Sequence, residues 1–400
     1  MRAYLDHAST SPLRPEGAAA LVEWLGAADP ARIHAEGRAA RVALEDARER
    51  LATLFGTRAR QVVLTSGATE SAHAALHGAI ERSVGRGGGR RVLVPAVEHA
   101  CVRDPSQVAG PVTWIGAGTD GRVDLDQLAD AIGDQVALVH CQAANHEVGT
   151  LQPLAEVVAL CRDAGALVHV DAASAAGHVA IGFDDLGADL MSISAHKMGG
   201  PRGMGALLVR RGLRLAPLLA GGAQERARRA GLEDVASAVA WGAVADALAG
   251  GALAREAETA AAQCGRLRAG AVALGGVAAY GPGEAARRLP HLVCLGIEGV
   301  EPEAVLVGLD QAGVAAHSGS ACAAEGLEPS PVLAAMGLPA ERSLRLSVGW
   351  STSDAEVELA MDALSRVVGR LRDLTVNPAR AHLPSLPAAP RPRPGRLGPG

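Results

Sequence analysis

Residues 16 to about 250 repeat one pattern: a short, nearly uninterrupted apolar run, then a longer alanine-rich stretch with helical spacing, then another apolar run. Short continuous apolar runs suit strands buried on both faces, and their alternation with helical segments predicts a mostly parallel sheet covered by helices on both sides. The runs are QVVLT (61–65), RRVLVP (90–95), VALVHC (136–141), ALVHVD (166–171), LMSIS (190–194) and GALLV (205–209). Glycine-rich SVGRGGGR (83–90) reads as a surface loop between a helix and the next strand. Past about 250 the pattern changes. An alanine-rich helical stretch (233–275) leads to HLVCLGIEG (291–299), a helix over 302–312, a loop over 316–330, SLRLSV (343–348) and a last amphipathic helix over 353–373. That succession predicts a smaller α/β domain. From Asn377 onward the chain is rich in proline and glycine with little to bury, which reads as a disordered tail.

Four hundred residues, 48% of them hydrophobic, are enough for a large core and two domains in one globular unit. Forty-three acidic against 38 basic residues give a formal charge of −5, and no basic run marks a nucleic-acid surface. Small-molecule chemistry fits better. The start MRAYLDHASTSPLRP has no apolar core of a leader, and no stretch approaches the roughly 18 apolar residues of a membrane span. No membrane partner is expected, and the cytoplasm is the expected location. The six cysteines, at 101, 141, 161, 264, 294 and 322, show neither paired nor finger-like spacing, so neither a disulfide framework nor a metal site is expected.

Of the 38 basic residues, only Lys197 is a lysine. Arginine replaces lysine as a surface charge, but its guanidinium stays protonated and forms no imine, whereas a lysine amine does. Lys197 is either a chance survivor on a solvated loop or an amine kept for covalent chemistry. It lies in SISAHKMGGPRGMGALLV, a strand end, a glycine-rich loop and another strand. In open α/β sheets such ends collect ligands. A Schiff base with pyridoxal phosphate would also need a carboxylate at the ring nitrogen. Asp171, closing ALVHVD, is the candidate, with a solvated strand-end aspartate as the alternative. The cofactor phosphate would need N–H groups at a helix start. TSGATES (65–71) follows a strand and opens a helix, offering Gly67, Ala68 and Thr69, with Ser194 and His196 as side-chain donors. Here the alternative is a plain helix cap using Thr65 or Ser66 with Glu70 behind. His99 follows its strand and is placed to stack on a flat ring or move protons; a structural histidine is its alternative.

Together with YLDHASTSP (4–12), HAEGRAAR (34–41), NHEVG (145–149), GGAQER (221–226), HSGSACAAEGLEPSPVL (317–333) and SLRLSVG (343–349), these segments resemble the cysteine desulfurases. Those are pyridoxal-phosphate enzymes of the aminotransferase class V group with fold type I, and the resemblance runs from residue 4 to about 373. It implies a large cofactor-binding domain over 15–250 with a mostly parallel seven-stranded sheet. It further implies a small domain from 1–14 and 251–375 carrying the catalytic cysteine loop, with 376–400 as the tail. By the same resemblance Lys197 forms the Schiff base, Asp171 pairs with the ring nitrogen, His99 stacks on the ring, and Asn145 sits near the cofactor's phenolic oxygen and the substrate. Phosphate contacts fall to Ala68, Thr69, Ser194 and His196. Arg345 clamps the carboxylate of L-cysteine in the two-point geometry arginine favours. Cys322, as thiolate, takes the sulfur and leaves alanine. Its glycine- and alanine-rich surroundings suit a carrier that must attack and then present sulfur to an acceptor protein, a scaffold or a sulfurtransferase, for iron–sulfur clusters, thiolated tRNA or another thio-cofactor. A homodimer is implied as well.

Three positions depart from the family pattern. Ser174 stands where a glutamine usually meets the phenolic oxygen. Leu232, in Arg229-Ala230-Gly231-Leu232, replaces a threonine that reaches a phosphate across the dimer interface. Ala28-Asp29-Pro30-Ala31-Arg32 replaces a Gly-Asn-Pro-Ser-Ser turn near the substrate entrance. The other readings are a selenocysteine lyase or other class V aminotransferase-type enzyme, which needs no Cys322-like carrier, and a non-catalytic homologue, supported by these departures alone.

Overall fold

The computed structural model describes residues 2–318 and 329–376; Cys322 and the expected tail from 377 lie outside the described residues. The strands are β1 Ala3–Tyr4, β2 Val62–Thr65, β3 Arg91–Pro95, β4 Val112–Ile115, β5 Val136–Gln142, β6 Val168–Asp171, β7 Leu190–Ser194, β8 Gly205–Val209, β9 Val277–Tyr280, β10 Leu292–Ile297, β11 Val314–Ala315 and β12 Ser343–Ser347.

Seven of them form one sheet in the order β2-β8-β7-β6-β5-β3-β4, parallel throughout except that β8 runs antiparallel to both β2 and β7. The sheet is buried on both faces, and the pleat divides each strand between two cores. Val63, Val92, Val94, Leu138, Leu190 and Leu207 pack with Ala72, Leu76 and Ile80 of helix Ala68–Val84. Their neighbours Leu64, Leu93, Val139, Met191 and Leu208 point the other way, to Leu44, Leu51 and the fully buried Trp241. β4, not among the runs singled out from the sequence, is the edge strand, and its half-exposed VTWI breaks the continuous apolar signature of its neighbours.

A second core gathers Leu5, Leu267, Val293, Leu295, Val305 and Leu346 around the antiparallel sheet β12-β10-β9. The N-terminus belongs to it: Ala3 and Tyr4 pair in parallel with Val314 and Ala315, and Asp6 bridges to Ser347. The expected helical stretch over 233–275 is two helices, Val235–Ala247 and Ala252–Val272. Gly250 and Gly251 break it with φ of +59° and +81°, a backbone that glycine adopts without strain. The final helix, Asp354–Val376, runs beyond the expected end at 373. Among the described residues no single helix is long and apolar enough to cross a membrane.

Candidate active site

Three neighbouring parallel strands end at the same rim of the sheet: β5 at Gln142, β6 at Asp171, in register with it, and β7 at Ser194. A 3₁₀ turn over Ala195–Met198 follows β7 and swings Lys197 back over the rim. The cavity there, about 570 Å³, is lined by Lys197, Asp171, His99, Ala68, Thr69, Ser174, Ser194, His196 and Arg345, so nearly every site residue expected from the sequence converges on it.

Lys197 Nζ donates to Ser174 Oγ at 3.3 Å. Burial, then the charge of Arg345, lowers its pKa from the usual amine value, although Asp171 acts in the opposite direction. More of the amine is therefore unprotonated and nucleophilic. Asp171 Oδ1 accepts from Ala173 N–H and Ser192 Oγ–H, both at 3.0 Å. Both bonds fall on the same oxygen, so the strand-end aspartate is fixed in place with Oδ2 left for a further partner.

At the other end of the cavity, Gly67 is the N-cap of helix Ala68–Val84 at φ +155° and brings no side-chain cap. The plain-cap alternative is met only in part: Glu70 Oε2 accepts from Ser66 N–H at 2.8 Å, while the helix's own first N–H groups take no side chain. Arg229 holds Glu70 at 3.0 Å. The turn is backed tightly by β8, since a Cβ on Gly205 would lie 2.5 Å from Gly67 Cα. An uncapped helix start beside Ser194 and His196 is a fitting anion seat.

His99 caps helix Ala100–Ala109, its Nδ1 accepting from Cys101 N–H at 3.1 Å, which places its proton on Nε2. Burial, then the neighbours His146 and Lys197, pushes it down to about 3, so the ring is neutral. Burial, then Lys197, likewise lowers His196 to about 4, and its Nδ1 meets Thr10 Oγ1 at 3.1 Å.

Arg345, on β12, reaches in from the second core. Its Nη1 donates to His146 O at 2.8 Å and its Nη2 to Ser9 Oγ at 2.6 Å and Asp6 Oδ1 at 3.1 Å, while the buried Nε has no partner among the described residues. A two-point clamp on a substrate carboxylate therefore requires Asp6 to release Nη2.

One expected residue is placed differently. Asn145 is fully buried and does not line the cavity: its Nδ2 donates to Val97 O at 3.1 Å, and its Oδ1 accepts the N–H groups of Glu147 and Val148, each at 2.9 Å. The carboxamide is committed to the turn beneath the site. The residues at the cavity are instead Gln142, Ala144 and His146. Of the departures, Leu232 is 64% exposed in a cleft it shares with Ser66 and Gly203. Asp29 and Arg32 pair with each other at 3.0 Å, away from the cavity lining.

Sequence reasoning passed over Glu98, His146, Glu147 and Cys101. Glu98 is entirely buried, its carboxyl raised well above the usual range by burial and then by Asp171, and its Oε1 accepts from Gln142 N–H at 2.5 Å. Cys101 faces the cavity, but burial and then Asp171 push its thiol up, against thiolate formation. The remaining described cysteines, Cys141, Cys161, Cys264 and Cys294, are buried. Among the described residues no group of three or more histidine, cysteine or acidic side chains is placed to hold a metal.

The arrangement suits a flat, anionic aldehyde: an amine taken out of water, a fixed carboxylate across from it, an open helix start for a phosphate and a neutral ring at the side. Comparison with known proteins agrees. Residues 3–359 match the family model of the aminotransferases of class V. The chain is 34% identical over 386 residues to the cysteine desulfurase IscS of Dictyoglomus turgidum, covering 93% of this chain and 96% of that one. It is 37% identical over 384 residues to the IscS-like cysteine desulfurase of Mycobacterium tuberculosis, covering 92% and 97%. Among solved structures, a NifS-like protein superposes with a TM-score of 0.85 at 26% identity, over 92% of this chain and all of the other.

Proposed function

We infer that this chain, which belongs to the aminotransferase class V family and within it to the cysteine desulfurases, uses pyridoxal phosphate on Lys197 to turn L-cysteine into L-alanine, with the sulfur passing to Cys322 as a persulfide. The observation that carries the assignment of residues is the convergence of Lys197, Asp171, the helix start at Ala68–Thr69 and Arg345 on one cavity.

Bound there, pyridoxal phosphate supplies an electron sink for the substrate carbon. The chain's residues do the rest. Lys197 would hold the cofactor through its nucleophilic amine, and its lowered pKa also fits it to move a proton in the cavity. Asp171 is placed to hold a proton at the ring nitrogen, and its two donors, Ala173 and Ser192, keep it aimed. Ala68 and Thr69 present N–H groups to the phosphate, assisted by Ser194 and His196. His99, at the cavity wall, would pack against the cofactor. Arg345 turns the substrate by its carboxylate, and Ser174 positions the lysine.

We assign residues 15–250 to the cofactor-binding domain and 1–14 with 251–375 to the second domain, supported by a second core drawn wholly from the latter set, while the larger core takes in Ala8, Leu289 and Leu292 besides the former. A sulfur acceptor serving iron–sulfur cluster assembly or tRNA and cofactor thiolation, a homodimeric state and a cytoplasmic location complete the reading; the names of the relatives support the first of these.

Incubation with L-cysteine followed by mass spectrometry tests it. The peptide containing Cys322 gains one sulfur, alanine accumulates with it, and Cys322→Ala abolishes the gain. A keto acid in place of alanine, or equal persulfide in Cys322→Ala, would refute it.

A further inference from the structure

Arg345 has a partner before any substrate arrives, and that partner is a carboxylate of the chain itself. Its Nη2 meets Asp6 Oδ1 at 3.1 Å and Ser9 Oγ at 2.6 Å, and Ser9 Oγ–H in turn donates to the same Asp6 oxygen at 2.8 Å. Arg345 and Ser9 line the cavity. The Arg345 side chain is 3% exposed and that of Asp6 20%, so the pair is shielded without being sealed. A guanidinium grips a carboxylate at two points along one of two edges, Nε with Nη2 or Nη1 with Nη2. Both edges use Nη2, and both of its hydrogens are taken, one by Asp6 and one by Ser9. Among the described residues Nε–H has no partner and Nη1 has only His146 O, so each edge is half open and half occupied.

The backbones that carry the pair are fixed. Arg345 stands opposite Cys294 of β10 and exchanges backbone hydrogen bonds with His317, at 2.7 and 3.2 Å. Asp6 bridges to Ser347, and its carbonyl oxygen accepts from Ser9 N–H at 3.2 Å. A change of partner at Nη2 is therefore a movement of side chains alone. The pair also acts on the reactive amine: the charge of Arg345 lowers the pKa of Lys197 and that of Asp6 raises it.

We propose, resting on the reading of Arg345 as the substrate clamp, that Asp6 is an exchangeable internal carboxylate that sets how tightly Arg345 holds the carboxylates of substrate and product. With the site empty, Asp6 supplies the counter-charge without which a buried guanidinium is costly. An incoming carboxylate takes Nη2, and Asp6 falls back on Ser9 Oγ–H and on water at its exposed side. Binding is weakened by the fraction of time that Nη2 is turned inward. The same competition works in reverse after the reaction, when Asp6 closes on Nη2 as alanine leaves. Substrate and product carboxylates are affected alike, so the exchange moves KM rather than the rate of the chemical step.

Propanoate, which has the carboxylate but neither amine nor sulfur, tests the exchange without turnover. In calorimetric titration of the holoenzyme, Asp6→Asn should bind propanoate about tenfold more tightly than wild type, and no less than about threefold. Arg345→Met should lose the binding. With L-cysteine, KM should fall in Asp6→Asn by the same factor and alanine should inhibit more strongly, while kcat does not rise. A residue that merely props up Arg345 would give the opposite sign, weaker propanoate binding and a raised KM. Asp6→Ser repeats the test if the asparagine variant folds poorly. A gain below about threefold, a loss of affinity, or propanoate binding that survives in Arg345→Met would each overturn the exchange. Wild type that makes no alanine from L-cysteine would sink the desulfurase reading instead, and the propanoate titrations would still decide the role of Asp6.

Discussion

Glu225→Gln is the substitution whose effect the structure specifies most closely. Glu225 and Arg48 form a buried two-point pair, Nη1 to Oε2 and Nη2 to Oε1, both at 2.7 Å, with each side chain 2% exposed. Oε2 also accepts from Leu64 N–H at 2.9 Å, and Arg48 Nη1 donates to Val62 O at 3.1 Å. The pair therefore pins β2 just before the turn that seats the phosphate. Removing one partner of a buried ion pair costs about 3–5 kcal/mol because the other charge stays buried. Glu45, 3.5 Å from Arg48 Nε, compensates in part, so the expected loss is about 3 kcal/mol. Segment 225–227 adds a second effect. Glu225, Arg226 and Ala227 have φ of +47°, +59° and +59°, a left-handed run that non-glycine residues hold only under constraint. Released, it also loosens Arg229 from Glu70. The assay is urea unfolding of Glu225→Gln, Glu225→Met, Arg48→Met and the double variant Arg48→Met/Glu225→Met, read by circular dichroism and tryptophan fluorescence. Two apolar side chains leave no buried charge and only the Leu64 N–H unpaired, since Val62 O keeps Arg228 Nη2 at 3.3 Å, so the double variant should be no less stable than either single one and the cycle should show coupling of about 2–3 kcal/mol. A loss under about 1 kcal/mol in Glu225→Gln, or additive single effects, would show that the pair does not hold this region.

Gly205→Ala places a Cβ 2.5 Å from Gly67 Cα and 2.7 Å from Ile193 O, both backbone, so it should cost about 1–3 kcal/mol and bleed cofactor during dialysis; full retention of the visible absorption would separate this turn from the phosphate. Wild type itself should lose cofactor more readily than its relatives do, given Ser174 and Leu232, and Leu232→Thr should slow the loss; identical dialysis curves for the two proteins would count against that role of Leu232. Acid should unfold the cofactor-free protein through its buried histidines. His140 and His169 share a proton between Nδ1 atoms 2.8 Å apart, and burial holds His169 at about 4 and His140 well below the ordinary value of 6.5. Their folded values lie below the unfolded one, so the unfolded chain binds more protons. Stability is complete above about pH 6.5 and falls toward pH 4, by about 1 kcal/mol per pH unit for each ring. A urea midpoint that stays level from pH 7 to pH 5 would refute this.

How much of this was readable in advance depended on where each signal lives along the chain. Buried parallel strands announce themselves because both faces are apolar, so all six runs named from the sequence are strands; half-exposed β4 lacks that signature. Lys197, Asp171 and His99 were readable because each closes or follows such a strand, and the parallel arrangement brings those ends to one rim. Asn145 was attached to the right segment but the wrong atoms, since only coordinates show Val97, Glu147 and Val148 taking up its carboxamide. His146 and Glu147 were in view as part of NHEVG and went unread. Their importance comes from contacts with His99, Arg345 and Ser330, remote in sequence, and from burial that a polar loop segment does not advertise. The break at Gly250 and Gly251 could have been seen as paired glycines inside a helical pattern.

The pairing of the first residues with β11 and β12 sets a clock on biosynthesis. Asp6, which faces Arg345 339 residues away, and Leu5, at the centre of the second core, leave the ribosome long before their partners around Ser347. At about 5–20 residues per second, the wait is roughly 20–70 s. The seven-stranded sheet is complete in sequence at Val209, so the seat for the cofactor can form while the substrate arginine is still unmade. During that interval Ala3 and Leu5 stay without their core. The nascent chain thus has a long window in which cofactor is able to bind before substrate can, with Leu5 as the residue a holding chaperone would shield.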